Sequence, residues 1–268
     1  MTDSPYLVVP GEKFHLKDRP THDTGPFADK KEAKSATEAN LELLDELQER
    51  LYAQAKHALL VVLQAMDTGG KDGTIEHVLG AVNPQGCHVT SFRAPTSLEL
   101  AHDYLWRIHQ AVPPKGMIGI FNRSHYESVL VERVKNLVPR DVWSRRYKQI
   151  NEFERLLSDE GVRIVKFFLH ISKHEQKRRL EARLSNPQKH WKFNPNDLKE
   201  RERWDDYQQA YEDALRECST KHAPWYVVPA DKKWFRNWVV SDVLVRTLKG
   251  LKMEYPPPPP GLDRITVE

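Results

Sequence analysis

The chain has 268 residues and a mass of 31.2 kDa, with 41 basic against 38 acidic side chains, a net charge of +3 and a mean hydropathy of −0.67. Such a balance is too small to mark a nucleic-acid binder by charge alone, and no apolar run comes near the roughly eighteen residues that a membrane span needs. Cys87 and Cys218 are too few for a disulfide framework and have no metal-ligand spacing; with no basic-then-apolar leader pattern, a reducing cytoplasmic setting is expected.

Residues 1–34 carry many Pro, Asp and Lys and little periodicity, and read as an N-terminal arm that packs on its own domain or on a partner subunit. Ser35, with Glu38 as capping-box partner, is expected to open a helix whose stripe of Leu41, Leu44, Leu47 and Leu51 lies against a sheet. Ala58 to Ala65 is an apolar run of strand type. It passes into Met66-Asp67-Thr68-Gly69-Gly70-Lys71-Asp72-Gly73-Thr74, and Ile75 onward reads as a helix.

Strand, Gly-rich turn and helix in that order form what a phosphate requires. Gly69, Gly70 and Gly73 let the backbone curl so that N–H groups converge, the helix N-terminus adds partial positive charge, and Lys71 adds a point charge. The spacing is not Gly-x-x-x-x-Gly-Lys-[Ser/Thr], because Ala65 and Asp72 stand where a glycine and a hydroxyl would be needed; the hydroxyl comes at Thr74. Two carboxylates beside such a cradle, Asp67 and Asp72, would repel a phosphate unless a cation sits between them. The same residues therefore imply Mg²⁺ and phosphoryl chemistry.

Cys87 to Phe92 is a second strand, Thr96 or Ser97 with Glu99 opens a helix carrying Tyr104 to Arg107, and Met117 to Phe121 is a third strand. Its C-terminal edge delivers Asn122-Arg123-Ser124-His125-Tyr126-Glu127, a polar cluster placed where open parallel sheets bind ligands. A helix over 141–159, a fourth strand Val162 to His170, a long helix from Asp197 through Arg216, a fifth strand Trp225 to Pro229 and a last helix from about Lys233 to Leu251 complete the alternation. The expected fold is α/β, a parallel sheet with helices on both faces. Pro256 to Pro260 reads as extended polyproline in a tail over 256–268.

Between the fourth and fifth strands, over about 172–205, basic residues crowd together, among them Arg178, Arg183, Lys189 and Lys192. Arg178 and Arg183 are five apart and share no narrow helical stripe, but they converge if the helix ends near Asn186-Pro187. A nucleotide kinase carries its closing lid at this place. Arginine forks fix phosphate geometry and lysines tolerate a sliding ligand, so the mixture suits repeated phosphates.

Ala65 to Thr74, Pro95 to Arg107, Phe121 to Glu127, Arg178 with Arg183, and Pro229 to Trp234 together resemble the second polyphosphate kinase family over roughly residues 35–255. The resemblance implies a thymidylate-kinase-like P-loop fold that moves the terminal phosphate of inorganic polyphosphate onto adenine or guanine nucleotides with Mg²⁺, or Mn²⁺ in its place, in a homodimer or homotetramer. It implies that Lys71 contacts the transferring phosphates, that Asp67 positions metal and acceptor oxygen, that Arg123 grips acceptor phosphate, and that Arg178 and Arg183 belong to the lid. Many members have Asp-Arg-Ser-Trp-Tyr-Asn where this chain has Asn122 to Glu127. That variant resembles the third class, which is expected to phosphorylate both nucleoside monophosphates and diphosphates. Asn122 supplies no charge, and Glu127 either replaces it or contacts the acceptor. The rival readings are an ATP-dependent nucleotide kinase, which needs a surface for a donor base, and a non-enzymatic polyanion binder, which leaves Asp67, Lys71 and Asp72 without a task. Neither nucleic acid nor membrane is expected as a partner.

Overall fold

The computed structural model describes residues 4–262 and 265–267; the outermost residues of the expected arm and tail, including Asp263 and Arg264, lie outside the described residues. In chain order the elements are α1 (Lys30–Gln54), β1 (Ala58–Gln64), α2 (Lys71–Val78), β2 (Cys87–Ser91), α3 (Ser97–Leu100), α4 (Trp106–Gln110), β3 (Ile118–Asn122), α5 (Val131–Val134), α6 (Arg140–Asp159), β4 (Val162–His170), α7 (Lys173–Leu184), α8 (Asn196–Glu202), α9 (Trp204–Cys218), β5 (Trp225–Pro229) and α10 (Lys233–Lys249). The five strands form one sheet in the order β2-β3-β1-β4-β5. Every pairing is parallel, with Val61 of β1 opposite Ile120 of β3 on one side and Val165 of β4 on the other.

Successive side chains of a strand point to opposite faces, so a strand buried at every position must be covered on both. All seven residues of β1 and all five of β5 meet that condition. The α6 helix packs on β4 and α9, while α10 packs on β4, β5 and α1. The chain steps from β1 across to β2, returns to β3 between them, and then crosses to β4, which makes the C-terminal end of β1 the point where strand order reverses. Ligands of open parallel sheets bind at such a point.

Four local expectations are corrected. Asp29, not Ser35, caps the first helix: its carboxylate accepts from the backbone N–H groups of Lys31 and Glu32, and the helix starts at Lys30 because the preceding Pro-rich chain gives way there. The Leu44, Leu47 and Leu51 stripe packs mainly on α10, which itself lies on the sheet. The helix expected from Asp197 through Arg216 is two helices, broken at Arg203, so that α8 can fold back on α7. Likewise Thr96 and Glu99 form the expected capping box, but the helix they open ends at Leu100 and a second begins at Trp106.

The arm packs on its own domain. Val8 N donates to Trp225 O and Val227 N to Tyr6 O, which covers the free edge of β5, and Leu7, Val8, Phe14 and Leu16 are buried. Pro256 to Pro260 belong to no helix or strand and are exposed. Among the described residues no helix is long and apolar enough to cross a membrane.

Asp29→Ala should lower the unfolding free energy by about 1 kcal/mol, since it frees two helix N-terminal donors, whereas Ser35→Ala on the exposed face should leave it unchanged. Chemical denaturation of the two variants beside the parent checks this.

Candidate active site

The site is assembled at the C-terminal edge of the sheet from the loops that follow β1, β3, β4 and β5. Behind β1 the chain turns sharply: Gly69 N donates to Met66 O, Thr68 has φ +62°, and Gly70, the N-cap of α2, has φ +105°. Gly70 is required twice over, by that angle and because a Cβ there would lie 2.0 Å from the guanidinium of Arg236. Lys71 follows at the first helical position, and its ammonium donates to Ala65 O at 3.1 Å, folding back over the turn. Burial, and then the neighbouring Arg123, push the Lys71 pKa down, while Asp67, Glu127 and Asp72 oppose that shift.

After β3, Arg123 has φ +62° and places its guanidinium 3.4 Å from an Asp67 carboxylate oxygen. Asn122 donates from Nδ2 to Asp72 Oδ1 at 2.8 Å, so the residue that stands where many members have aspartate ties β3 to the start of α2. Glu127 is half-buried, and burial raises its pKa against the pull of Arg123 and Lys71.

After β4, α7 closes the cleft. Gln176 Nε2 donates to Asp67 O, and Arg179, only 7% exposed, spreads its guanidinium over the carbonyls of Thr68, Gly69, Ala230 and Asp231 while Nε donates to Glu175. Its neighbour Arg178 is bound on two nitrogens by Glu175 and stays largely exposed. Arg183 donates to Lys192 O and lies 3.4 Å from Asp197, pinning the tip of the lid to its base. After β5, Arg236 of α10 is almost wholly buried against the turn; burial and the nearby Arg179 lower its pKa to about 10.

These loops enclose a cavity of about 820 Å³. Asp67, Gly69, Gly70, Lys71, Asp72, Gly73, Asn122, Arg123, Arg178, Arg183, Lys189 and Lys192 all line it, so twelve of the residues singled out in the sequence meet in one cleft. Two stand apart. The Thr74 side chain is fully buried and its hydroxyl donates to Gly70 O, a bond back along its own helix, and Glu127 lines an adjoining cavity of about 530 Å³. Arg179, Lys233, Arg236 and Asp197 also line the cleft and were not singled out as site residues. Arg179 was indistinguishable from Arg178 in a basic run, Asp197 read only as a helix start, and α10 joins the site through the tertiary fold. The helix itself is expected from about Lys233 to Leu251, but the sequence ties it to the site only through Lys233 and Trp234 in the Pro229 to Trp234 resemblance.

The cleft's charges fall into two groups. Lys233 is surrounded by Arg179, Arg236, Lys189 and Arg178, all of one sign, whereas Asp67, Lys71, Arg123, Glu127 and Asp197 interact as a mixed set. The first can hold a chain of anionic groups; the second can act on the group at its end.

A family model described as Polyphosphate kinase 2 matches residues 27–256. The chain is 58% identical over 264 residues to an AMP/ADP-polyphosphate phosphotransferase of Meiothermus ruber, an alignment spanning 98% of this chain and 99% of that one. It is 46% identical over 269 residues to an ADP-polyphosphate phosphotransferase of Rhodopseudomonas palustris, spanning 96% and 93%. Among solved structures it matches the crystal structure of polyphosphate kinase 2 from Arthrobacter aurescens TC1 with a TM-score of 0.91 at 45% identity, over 95% of this chain and 91% of that one.

Burial, then the charge of Asp67, raises the Asp197 pKa to about 6 from an ordinary 3.8, against the pull of Arg183. The folded state thus holds a proton on Asp197 that the unfolded state releases, and stability falls as pH rises from about 4 to 6. Asp197→Asn should accordingly melt higher than the parent at pH 8 and lose that advantage as the pH falls toward 4, as thermal scans at both pH values would record.

Proposed function

The chain belongs to the polyphosphate kinase 2 family and is a polyphosphate-dependent phosphotransferase, and on that premise we propose that it phosphorylates both AMP and ADP, carrying AMP through ADP to ATP. The observation that carries the choice of donor is the all-cationic group around Lys233. Repeated phosphates satisfy such a surface along its length, whereas an ATP donor would need a place for its base there. Support for two acceptors comes from the relative of 58% identity, whose name includes both.

In this reading the donor lies along Arg178, Arg179, Lys189, Lys233 and Arg236 with its terminal phosphoryl group at the α2 N-terminus. Lys71 and Arg123 stabilise charge on the oxygens of that group as it moves, and Asp67 orients the acceptor oxygen. The lysine's lowered pKa favours this task, because a desolvated ammonium gains more from an approaching anion than a hydrated one. Arg183, fixed to the lid tip, carries the lid over the cleft and keeps water from the phosphoryl group. Glu127, within the field of Lys71 and Arg123, contacts the acceptor side and influences whether AMP or ADP is used.

Among the described residues no group of three or more His, Cys, Asp or Glu is spaced to hold a metal alone. The donor set nevertheless fits Mg²⁺, which takes one or two carboxylates and completes its shell with phosphate oxygens and water. Asp67, with Asp197 close enough to feel its charge, would hold it, and Mn²⁺ fits the same set. When bound, the ion neutralises phosphate charge between the two substrates. Guanine nucleotides as alternative acceptors and a homodimeric or homotetrameric assembly rest on the family resemblance.

With purified protein, Mg²⁺, AMP and polyphosphate as the sole donor, chromatography over time should show ADP first and ATP later. No ADP from polyphosphate, beside robust transfer from a nucleoside triphosphate, would replace this reading with an ordinary nucleotide kinase. Lys71→Ala should lower turnover by about 10² or more with the melting temperature retained, since the glycines set the turn; near-parental turnover would remove Lys71 from the mechanism.

A further inference from the structure

Beneath the loop after β3 lies a charged cluster with no access to the cleft. Lys166, in the middle of β4, and Glu154, on α6, are 0% and 1% exposed at their side chains, and their charged atoms meet at 2.5 Å. All three N–H groups of the lysine are used: one on Glu154 Oε2, one on Tyr126 Oη at 2.7 Å and one on Cys218 O at 2.7 Å. Tyr126 Oη donates in turn to Glu154 Oε1 at 2.9 Å, and His125 Nε2 lies 3.2 Å from the same oxygen. The Tyr126 ring stands edge-on to Trp225 at 4.8 Å.

Stability alone does not account for this pair. Removing two full charges from water costs several kilocalories, and well-packed apolar replacements of buried pairs are often neutral or stabilising. What the cluster holds is informative. His125 and Tyr126 sit inside the segment flanked by Arg123, which lines the cleft, and Glu127, which lies in the field of Arg123 and Lys71, and Arg123 keeps a left-handed backbone that an arginine does not choose unaided. Two inward hydrogen-bonded side chains between two outward charged ones fix the segment as a staple does.

We propose that Lys166 and Glu154 are positioning residues for phosphoryl transfer, holding His125 and Tyr126 so that Arg123 and Glu127 keep their places at the end of the donor chain. The inference rests on the reading of Arg123 as part of the transfer site. Neither Lys166 nor Glu154 touches substrate; they act through the loop. Misplacement of a transfer group by about 1 Å costs up to 10² in rate, so loosening the staple should appear in turnover. Polyphosphate binding should be spared, because the all-cationic group around Lys233 belongs to α7, α10 and the lid tip.

The test compares four proteins with polyphosphate and AMP: the parent, Tyr126→Phe, the double variant Glu154→Leu with Lys166→Met, and Arg123→Ala. Tyr126→Phe removes one hydroxyl and no packing volume, so it decides the matter even where the double variant does not fold. The expected result is a fall in kcat of about tenfold or more for Tyr126→Phe with the KM for polyphosphate within about twofold of the parent, and a melting temperature lowered by the lost buried hydrogen bonds yet still above the assay temperature. The double variant, when folded, should show the same split. Parental kcat in Tyr126→Phe, or in a folded double variant, overturns the proposal, as does a loss confined to KM. Arg123→Ala separates the two readings: full activity there sinks the role of Arg123 itself, whereas an inactive Arg123→Ala beside a fully active Tyr126→Phe sinks only the positioning pair.

Discussion

One guanidinium joins the two halves of the cleft. Arg179 takes the carbonyls of Thr68 and Gly69 from the turn after β1 and those of Ala230 and Asp231 from the turn after β5, with Glu175 holding its remaining edge. A left-handed turn with converging N–H groups leaves its carbonyls pointing away from the ligand, and buried carbonyls need donors. A single side chain that meets both turns therefore sets their separation. That link and the packing of α10 beside α2 together set Arg236, on the cleft floor, against Gly70 of the cradle.

The second constraint is electrostatic. A cleft made for phosphates must exist before a phosphate arrives, and like charges at close range repel. Here the cations are kept in place by neutral or local partners: Arg236 by the side-chain oxygen of Asn237, Arg178 by Glu175, Lys71 by a carbonyl of its own turn. Acids are sparing and specific. Asp67 pairs with Arg123 at 3.4 Å, Asp197 with Arg183 at the same distance, and Glu175 with both Arg178 and Arg179, while the charges that act most on Lys233 are all cationic.

Much of this was legible in the sequence, because much of it is local. The fourth and fifth strands run over the residues that their apolar patterns mark, Val162–His170 and Trp225–Pro229, and the cradle is a contiguous strand, turn and helix. What the sequence left unread depends on distant chain segments meeting. Arg178 and Arg179 are neighbours, about 100° apart around a helix, and only the packing of α7 decides that the second enters the turn while the first meets solvent. Arg236 is brought to Gly70 by the way α10 packs beside α2. Thr74 went the other way: a hydroxyl at the start of a helix has a competing acceptor one turn back, and Gly70 O takes it. Ser35 failed as a cap for a similar reason, since Asp29 supplies a stronger acceptor to the same helix earlier in the chain.

The uncompensated cations on the cleft floor have a thermodynamic consequence for the protein outside catalysis. Burial and repulsion from neighbouring cations push the pKa values of Lys233 and Arg236 down, so part of the folding free energy is spent holding charges that have no ion-pair partner among the described residues. A polyanion seated there returns that energy, and it does so only to the folded state, by RT ln(1 + [L]/Kd). The folded population, and with it resistance to proteolysis, is thereby coupled to the amount of phosphate polymer around it. In a cell whose polymer store runs down, the protein loses its substrate and part of its stability together.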